Sequence, residues 1–309
     1  FQYLKGMETK PTLRCLKAMS TSSKSSNLPR LLGAGLNGLA EIAPRAAGRL
    51  AFDLFGKPRP RKPKPEETQF LATADFHYEN LNGRKIALYH WGFRGPLVLL
   101  AHGWESHAGR WRKLASPLVQ AGYQVLALDA PAHGRSDGRR FTMLHYAEIL
   151  QTLFHRFGPV HSVIAHSVGG SAAIWAMAQV EPALRPQKAV VLAAFSELEI
   201  VLHSARQMIG ASPKLAAGFD RYVIDRFGHP PAYFSLSKAS AQLAEVQGLL
   251  IHDQKDRVTP FEESLRLEQN WPGAQLIPTN GFGHGLTAPQ VWEMILDFVT
   301  TDSYICLSK

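Results

Sequence analysis

The sequence is poor in cysteine and has no long apolar run, and each absence excludes a class of protein. Of 309 residues only two are cysteine, Cys15 and Cys306, and neither stands in a metal-binding or redox spacing. A disulfide-stapled scaffold is therefore excluded, and we expect a reducing, cytoplasmic setting. No stretch reaches the roughly 18 apolar residues of a membrane-spanning helix, and the first 27 residues lack the compact apolar stretch of a secretory signal.

Net charge is also small over most of the chain, because acidic and basic residues nearly balance there. The net charge is +9, but residues 1–67 hold 13 Lys or Arg against 5 Asp or Glu, whereas residues 68–309 hold 21 against 20. A nearly neutral main body predicts no nucleic-acid partner. The basic N-terminal part is interpreted as a solvated extension, and its association with a membrane surface is the less favoured alternative.

The composition divides the chain into an extension and a main domain. Residues 1–27 are polar and rich in Ser and Lys, which predicts disorder. Residues 28–56 carry apolar side chains at steps of three and four, so we expect helix there, interrupted at Pro44. Residues 57–65 alternate Pro with Lys or Arg and predict a stiff linker. The extension is therefore expected to occupy residues 1–67 and the domain residues 68–309.

Within that domain, apolar strands alternate with helices. Asn82 and Gly83 join the segments 76–81 and 84–91 as the turn of a β-hairpin. The later apolar runs lie at 96–101, 123–129, 160–165, 188–194 and 248–252. Such runs are typical of strands buried on both faces, so we predict an α/β fold with a mostly parallel sheet between helices. Residues 195–245 break the alternation and are too long for a loop, which predicts a helical cap over the strand ends.

The first chemical motif, AHSVGG at residues 165–170, follows one of these strands. Small residues at 165 and 169 permit the sharp turn that exposes a nucleophilic serine, and the helix after it favours developing negative charge. The usual pattern has Gly where this chain has Ala165, and a serine before two glycines is also a common helix N-cap. Ser167 is thus a candidate nucleophile.

A second motif, AHGWE at residues 101–105, follows the most apolar strand. Acyl transfer turns a carbonyl oxygen into an anion, which needs two fixed N–H donors. The candidates for this oxyanion hole are the backbone N–H groups of Trp104, in this loop, and of Val168, after the serine. An ordinary strand-to-helix turn is the alternative interpretation. His102 in the same loop and Phe195, where a strand meets the cap, are candidate substrate-binding residues.

The remaining motifs supply a base and an acid. A serine hydroxyl needs an adjacent base, and the base needs a carboxylate to orient it. Asp256 follows the apolar strand at 248–252, and His284 follows a short strand predicted at 275–278. The order Ser, Asp, His along the chain therefore predicts Ser167 as nucleophile, Asp256 as acid and His284 as base. Other carboxylates that could serve as the acid are Asp253, Glu197 and Glu199.

Taken in order, these pieces resemble the α/β-hydrolase superfamily over roughly residues 74–300. The matching pieces are the loop at 102–104, the stretch LDAPAHGRS at 128–136, the turn at Ser167, the segment 256–260 and Gly283-His284. The resemblance favours Asp256 as the acid, because it stands four residues before Pro260. It argues against Asp129 as a nucleophile, because that role belongs to the position that Ser167 occupies. It implies hydrolysis of an ester, thioester, amide or carbon–carbon bond without a cofactor.

We therefore predict a carboxylesterase-like serine hydrolase that forms an acyl-enzyme with a small or medium hydrophobic acyl substrate. A thioesterase or a carbon–carbon bond hydrolase with the same residues is one alternative. A hydrolase fold that serves only as a binding module is another. Thirteen histidines are present, but none has the spacing of a metal-binding pair with carboxylate support, so we expect no metal and no cofactor.

Overall fold

The computed structural model describes residues 28–301, and its centre is one eight-stranded sheet. The disorder predicted for residues 1–27 lies outside the described residues, as do both cysteines. The strands are β1 (Asp75–Leu81), β2 (Arg84–Trp91), β3 (Leu97–Ala101), β4 (Gln124–Leu128), β5 (Ser162–His166), β6 (Lys188–Leu192), β7 (Gln247–Asp253) and β8 (Ala274–Thr279).

The sheet has the order β1-β2-β4-β3-β5-β6-β7-β8. Strands β1 and β2 form the expected hairpin, with Leu81 opposite Arg84 and with Asn82 and Gly83 at the positive φ values, 50° and 73°, of a two-residue turn. Strand β2 pairs antiparallel with β4, and all later pairs are parallel. The predicted α/β fold with a mostly parallel sheet is confirmed.

Helices cover both faces of the sheet. The helices of the described residues are α1 (Leu28–Ile42), α2 (Pro44–Phe55), α3 (Pro65–Leu71), α4 (Arg112–Gln120), α5 (Met143–Phe157), α6 (Val168–Gln179), α7 (Leu198–Met208), α8 (Pro213–Phe227), α9 (Leu236–Ser240), α10 (Glu262–Asn270) and α11 (Pro289–Thr300). Every residue of β5 and β6 is buried, which requires apolar cover on both sides. Helices α5 and α6 supply it on one face, through Leu153 and Ile174, and α4 and α11 on the other, through Leu118 and Ile295.

The chain between β6 and β7 forms α7, α8 and α9, in the stretch predicted as a helical cap. Helices α1 and α2 of the extension pack on this cap. A separate apolar cluster joins Ala47 and Ala51 of α2 to Phe219 of α8. The two helices touch backbone to backbone, because a Cβ on Gly48 would lie 2.1 Å from the carbonyl carbon of Gly218. The N-terminal helices and the cap therefore share one small core of their own.

The linker after α2 runs across the loop that follows β3. Arg59 donates hydrogen bonds to the Glu105 carboxylate from its backbone N–H at 3.0 Å and from its guanidinium at 2.7–3.0 Å. The boundary predicted between residues 67 and 68 falls inside α3, which begins at Pro65. The Glu67 carboxylate caps this helix by accepting the Lys64 N–H at 2.8 Å.

No helix within residues 28–301 combines the length and the apolar character needed to span a membrane.

Candidate active site

Ser167 lies at the turn between β5 and α6. Its backbone has φ 54° and ψ −127°, a conformation that costs a non-glycine residue about 1–3 kcal/mol. The turn is held on both sides, since the Ser167 N–H donates to the Leu192 carbonyl at 2.7 Å and the Ser167 carbonyl accepts the Ser171 N–H at 3.1 Å. The serine therefore stands at the carboxyl end of β5, the edge at which ligands bind in parallel sheets.

Three predicted residues meet at this edge. The Oγ of Ser167 lies 3.0 Å from Nε2 of His284, and Nδ1 of His284 lies 2.7 Å from Oδ2 of Asp256. An ionised carboxylate can only accept, so Nδ1 carries the hydrogen and Nε2 presents its lone pair to the serine hydroxyl. The Asp256 side chain is fully buried, whereas 21% of the His284 side chain is exposed. This arrangement can deprotonate Ser167.

Asp256 stays ionised because several donors surround its carboxylate. The Val258 and Thr259 N–H groups donate to Oδ1 at 2.7 and 3.1 Å. His252, which the sequence placed only in a strand, lies 3.2 Å from Oδ2 through its Nε2. Burial alone would raise the pKa of Asp256, but the hydrogen bonds from His252, His284 and Val258 outweigh burial and hold that pKa well below its usual range.

Asp253, the alternative acid, has a different position. Its carboxylate accepts the Phe282 N–H at 2.7 Å and the Thr279 hydroxyl at 3.1 Å. It therefore holds the loop that carries His284 (residues 280–287, the base loop) without binding the imidazole. Asp256 is the carboxylate that reaches His284. The remaining candidate acids pair with other side chains, Glu197 with Ser235 and Glu199 with Arg206.

The loop after β3 (residues 102–107, the β3 loop) approaches the serine turn. Its backbone reverses at Glu105, which has φ 50°. Among the described residues, no acceptor takes the backbone N–H of Trp104 or of Val168. The Trp104 side chain is 37% exposed and rests edge-on against His133 and Phe141. Both predicted oxyanion donors thus remain available to a ligand.

The two candidate substrate-binding residues are both buried. His102 is completely buried, and its Nε2 accepts the Ala130 N–H at 2.9 Å while its Nδ1 donates to the Gly103 carbonyl at 2.7 Å. With both nitrogens engaged, the ring braces two loops, which argues against contact with a substrate. Phe195 is 6% exposed and belongs to the core under the cap, and its carbonyl accepts the Ser171 hydroxyl at 3.0 Å.

Asp129 follows β4 and anchors neighbouring backbone. Its carboxylate accepts the N–H groups of Ala108 and Arg135 at 2.8 Å each and the Tyr89 hydroxyl at 3.0 Å. Three donors of this kind fix a loop and leave no lone nucleophilic oxygen facing a substrate. The geometry therefore agrees with the sequence argument against Asp129 as a nucleophile.

Sequence reasoning missed two residues beside the base. The ring centre of His166 lies 5.0 Å from that of His284, and its Nε2 lies 2.8 Å from the His284 carbonyl oxygen. Arg110, from the short helix Ala108–Trp111, lies 3.0 Å from His166 Nδ1 and 3.0 Å from the Gly285 carbonyl. These contacts join three loops that are distant in sequence, so no local pattern could reveal them.

A metal site is not evident in the described part of the chain. Within residues 28–301, no group of three or more His, Cys, Asp or Glu side chains is arranged to hold an ion. His102, His133 and His252 each have both ring nitrogens engaged by protein groups. These histidines stabilise loops around the serine.

Comparison with known proteins agrees with this fold. The family model of serine aminopeptidases (S33) matches residues 94–226. Monoacylglycerol lipase of Mycolicibacterium smegmatis is 35% identical over 82 residues, which are 24% of this chain and 29% of that protein. The bifunctional esterase/perhydrolase DCH of Acinetobacter calcoaceticus is 26% identical over 259 residues, which are 66% of this chain and 91% of that protein. An esterase from Exiguobacterium antarcticum superposes with a TM-score of 0.55 at 18% identity, over 74% of this chain and 100% of that one.

The sheet order, the serine turn and these similarities show that the chain has the α/β-hydrolase fold. The chain spans 29% of the length of the M. smegmatis lipase and 38% of that of rat monoglyceride lipase, to which it is 27% identical. The activity is therefore a matter for proposal.

Proposed function

We propose that the protein is a serine esterase that cleaves a carboxylic ester through an acyl-enzyme. The observation that carries the proposal is the continuous hydrogen-bonded chain from Ser167 Oγ through His284 to Asp256, with separations of 3.0 and 2.7 Å. A helix N-cap serine needs neither a base at hydrogen-bond distance nor a buried carboxylate behind that base. The strained backbone of Ser167 supports the same role.

In the first half-reaction, His284 Nε2 takes the hydroxyl proton while Ser167 Oγ attacks the ester carbonyl carbon. The carbonyl oxygen becomes an anion, and the N–H groups of Trp104 and Val168 stabilise it. The imidazolium that forms is held in place by ionised Asp256. His284 then gives its proton to the departing alcohol, the carbon–oxygen bond of the ester breaks, and the acyl group remains on Ser167.

In the second half-reaction, water replaces the alcohol. His284 accepts a proton from the water as its oxygen attacks the acyl carbon, and the same two N–H groups hold the oxyanion. His284 returns the proton to Ser167 Oγ as the acyl–serine bond breaks. The products are a carboxylic acid and the free enzyme, so no cofactor or external electron source is required.

The proposed substrate is an ester with a small or medium hydrophobic acyl group. The monoglyceride lipases and esterases among the relatives support an ester with an apolar acyl part. The cap leaves the sheet directly after β6, next to the serine turn, and its Phe234 is buried in the main apolar core. An apolar cover favours apolar substrates, since burial removes their surface from water.

The same residues could act on a thioester or a carbon–carbon bond. A thioesterase domain and a meta-cleavage product hydrolase share the fold at TM-scores of 0.54 and 0.53, but at 17% and 20% identity this likeness concerns the fold alone. Rates on matched oxygen ester, thioester and diketone substrates with one acyl group would rank the three reactions. We expect the highest kcat/KM on the oxygen ester.

Labelling with a fluorophosphonate probe tests the proposal most directly. The wild type should form a covalent adduct, and Ser167→Ala should not, because the probe reacts only with an activated serine. Ser171→Ala is the matched control. Ser171 lies one helical turn further on and donates to the Phe195 carbonyl at 3.0 Å, so its removal should leave labelling intact.

A short-chain and a long-chain probe should be used together, so that exclusion by the cap is not mistaken for an inert serine. If neither labels the wild type while a reference hydrolase reacts, the acyl-enzyme mechanism is rejected and a binding module becomes the better hypothesis. If Ser167→Ala labels as strongly as the wild type, the nucleophile lies elsewhere.

A further inference from the structure

Arg110 is a partly buried cation, and no acidic side chain among the described residues pairs with it. Its guanidinium lies 4.8 Å from the centre of the Trp111 ring and donates from Nη2 to the Gly285 carbonyl at 3.0 Å. Burial, with a smaller effect of Arg61, lowers the pKa of Arg110 to about 9, so the group remains charged at neutral pH. A desolvated charge without a carboxylate beside it costs free energy, so a role other than stabilising the fold is indicated.

Arg110 fixes the protonation pattern of His166. A guanidinium can only donate, so Arg110 Nη1 donates to Nδ1 of His166 across 3.0 Å. The hydrogen of the neutral imidazole is then on Nε2, which donates to the His284 carbonyl oxygen at 2.8 Å. Burial and the charge of Arg110 hold the pKa of His166 well below its usual range, which keeps the ring neutral. The hydrogen bonds therefore run in one direction, from Arg110 through His166 to His284.

His166 also fills the space between the β3 loop and the base loop. A Cβ added to Gly103 would lie 2.7 Å from His166 Nδ1 and 3.1 Å from Ser167 Cβ, so only glycine at 103 leaves room for the ring. On its other side, the His166 ring lies 5.0 Å from the ring of His284. The His166 side chain thus extends from the serine turn and lies between the loop of the proposed oxyanion hole and the base loop.

We propose that Arg110 and His166 are positioning residues that set the place of the His284 imidazole by holding the carbonyls of His284 and Gly285. The inference rests on the proposed function, because it concerns the base of the same reaction. Asp256 fixes the imidazole from the side-chain end, and Arg110 with His166 fixes the backbone from which the imidazole extends. Neither positioning residue exchanges a proton with the substrate.

A loop that lacked this support could turn His284 away from the serine without unfolding. Proton transfer needs heavy atoms within hydrogen-bond reach, and a displacement of about 1 Å can lower the rate about 100-fold. Substrate binding would change little, because the acyl group is held by the cap and the oxyanion donors. The expected signature is a fall in kcat with KM nearly unchanged.

Two substitutions of His166 test the contacts of its two ring nitrogens separately. Gln places an amide N–H near the position of Nε2 and so keeps the donor to the His284 carbonyl. Asn reaches only the position of Nδ1 and so keeps the contact with Arg110 and loses that donor. We expect His166→Gln to retain kcat within about 3-fold and His166→Asn to lose about 10- to 100-fold, with KM within about 2-fold in both.

The matched controls are His155→Gln and His155→Asn on the exposed side of α5, which should leave kcat unchanged. Equal kcat in the two His166 variants would overturn the proposal, since a space-filling role does not depend on which end of the side chain donates. Arg110→Met gives independent evidence. It removes a desolvated charge but leaves His166 Nδ1 and the Gly285 carbonyl without their donor, so the melting temperature should change little while kcat falls. A fall in melting temperature with kcat preserved would count against positioning.

A readout without turnover separates this inference from the proposed function. The proton between His284 Nδ1 and Asp256 should give a downfield proton NMR signal in the free enzyme. We expect that signal in the wild type and in His166→Gln, and a shifted or broadened signal in His166→Asn. An unchanged signal in His166→Asn contradicts the positioning role. A normal signal in a wild type that neither labels nor turns over would reject the esterase mechanism alone.

Discussion

The loops that carry Ser167, Asp256 and His284 and the layer formed by α1, α2, α7 and α8 are held together in different ways. In the loops, buried polar groups are joined by hydrogen bonds of 2.7–3.2 Å, as around Asp256. In the layer, apolar side chains pack around Phe52, whose ring centre lies 5.3–6.0 Å from three aromatic rings of α8.

This difference suggests that the loops determine the chemical steps and the layer determines which substrates are accepted. Hydrogen bonds between buried groups fix directions, and their loss leaves an unsatisfied partner. Apolar packing is non-directional and tolerates rearrangement. We therefore expect changes in the loops to act on kcat, and changes in the layer to act on stability and on the choice of acyl group.

Asp256→Asn should have the largest effect, a fall in kcat of about 10³- to 10⁴-fold, because a neutral amide neither orients His284 nor stabilises its charged form. Steady-state kinetics on a short-chain ester would measure it. A kcat within 10-fold of the wild type would show that another group orients the base. It would also contradict the expectation that changes in the loops act mainly on kcat.

Asp253→Asn is the matched control for Asp256→Asn, because it changes the same type of side chain three residues earlier. The amide would face the Phe282 N–H and could no longer accept as a carboxylate does. We expect the free energy of unfolding to fall by about 1–3 kcal/mol and kcat to fall far less than in Asp256→Asn. Urea unfolding beside kinetics would test this, and a kcat as low as that of Asp256→Asn would reopen the choice of acid.

The stability difference between wild type and Asp253→Asn should depend on pH. Burial raises the pKa of Asp253, but hydrogen bonds from the N–H groups of Phe282 and Lys255 outweigh burial and lower that pKa below its usual value. The ionised form therefore stabilises the fold fully above an unfolded-state pKa of about 3.9, and this contribution is lost as the pH falls through the native pKa. Melting temperatures should differ most near neutral pH and converge in acid; a constant difference would contradict the assignment.

Gly48→Leu should disturb the layer while leaving the loops intact. The new side chain meets the backbone of Gly218, so we expect overpacking of about 1–3 kcal/mol and an altered ratio of kcat/KM between long and short acyl esters. Gly38→Leu is the matched control, because no atom lies within 4 Å of a Cβ added there. If both variants keep the wild-type acyl preference, the extension does not shape the pocket through the cap.

Arg59→Ala should have the smallest effect, although Arg59 makes several contacts with Glu105. The Arg59 side chain is 87% exposed, and an ion pair so well solvated stabilises a fold by less than about 1 kcal/mol. Urea unfolding at low and high salt would measure the difference, which should shrink as salt screens the pair. A larger, salt-insensitive loss would mean that the linker is a structural part of the β3 loop.

Much of the fold could be predicted from the sequence, because apolar periodicity and turn residues are local. Asn82 and Gly83 predicted the hairpin turn, and the mostly apolar segments of β5 and β6 predicted strands buried on both faces. Ser167, Asp256 and His284 were named from motif and chain order, and the structure brings them to one edge.

The contacts around the site depend on tertiary structure. His102 was a candidate substrate-binding residue, and in the structure its ring is buried and forms two hydrogen bonds with loop backbone. The roles of Arg110 and His166 and the contact of Gly48 with Gly218 were not foreseen at all. Each depends on which segments meet in space, and no spacing along the chain encodes that.

The sequence by itself determined the alternation of strands and helices and the candidates for nucleophile, acid and base, because periodicity and strand-end motifs are set by neighbours along the chain. Only the tertiary structure decided that Asp256 and not Asp253 faces His284, that Arg110 and His166 stand behind the base, and that the N-terminal helices pack on the cap. The physical reason is that hydrogen bonds and close packing depend on distances of a few tenths of an ångström between segments that folding alone brings together.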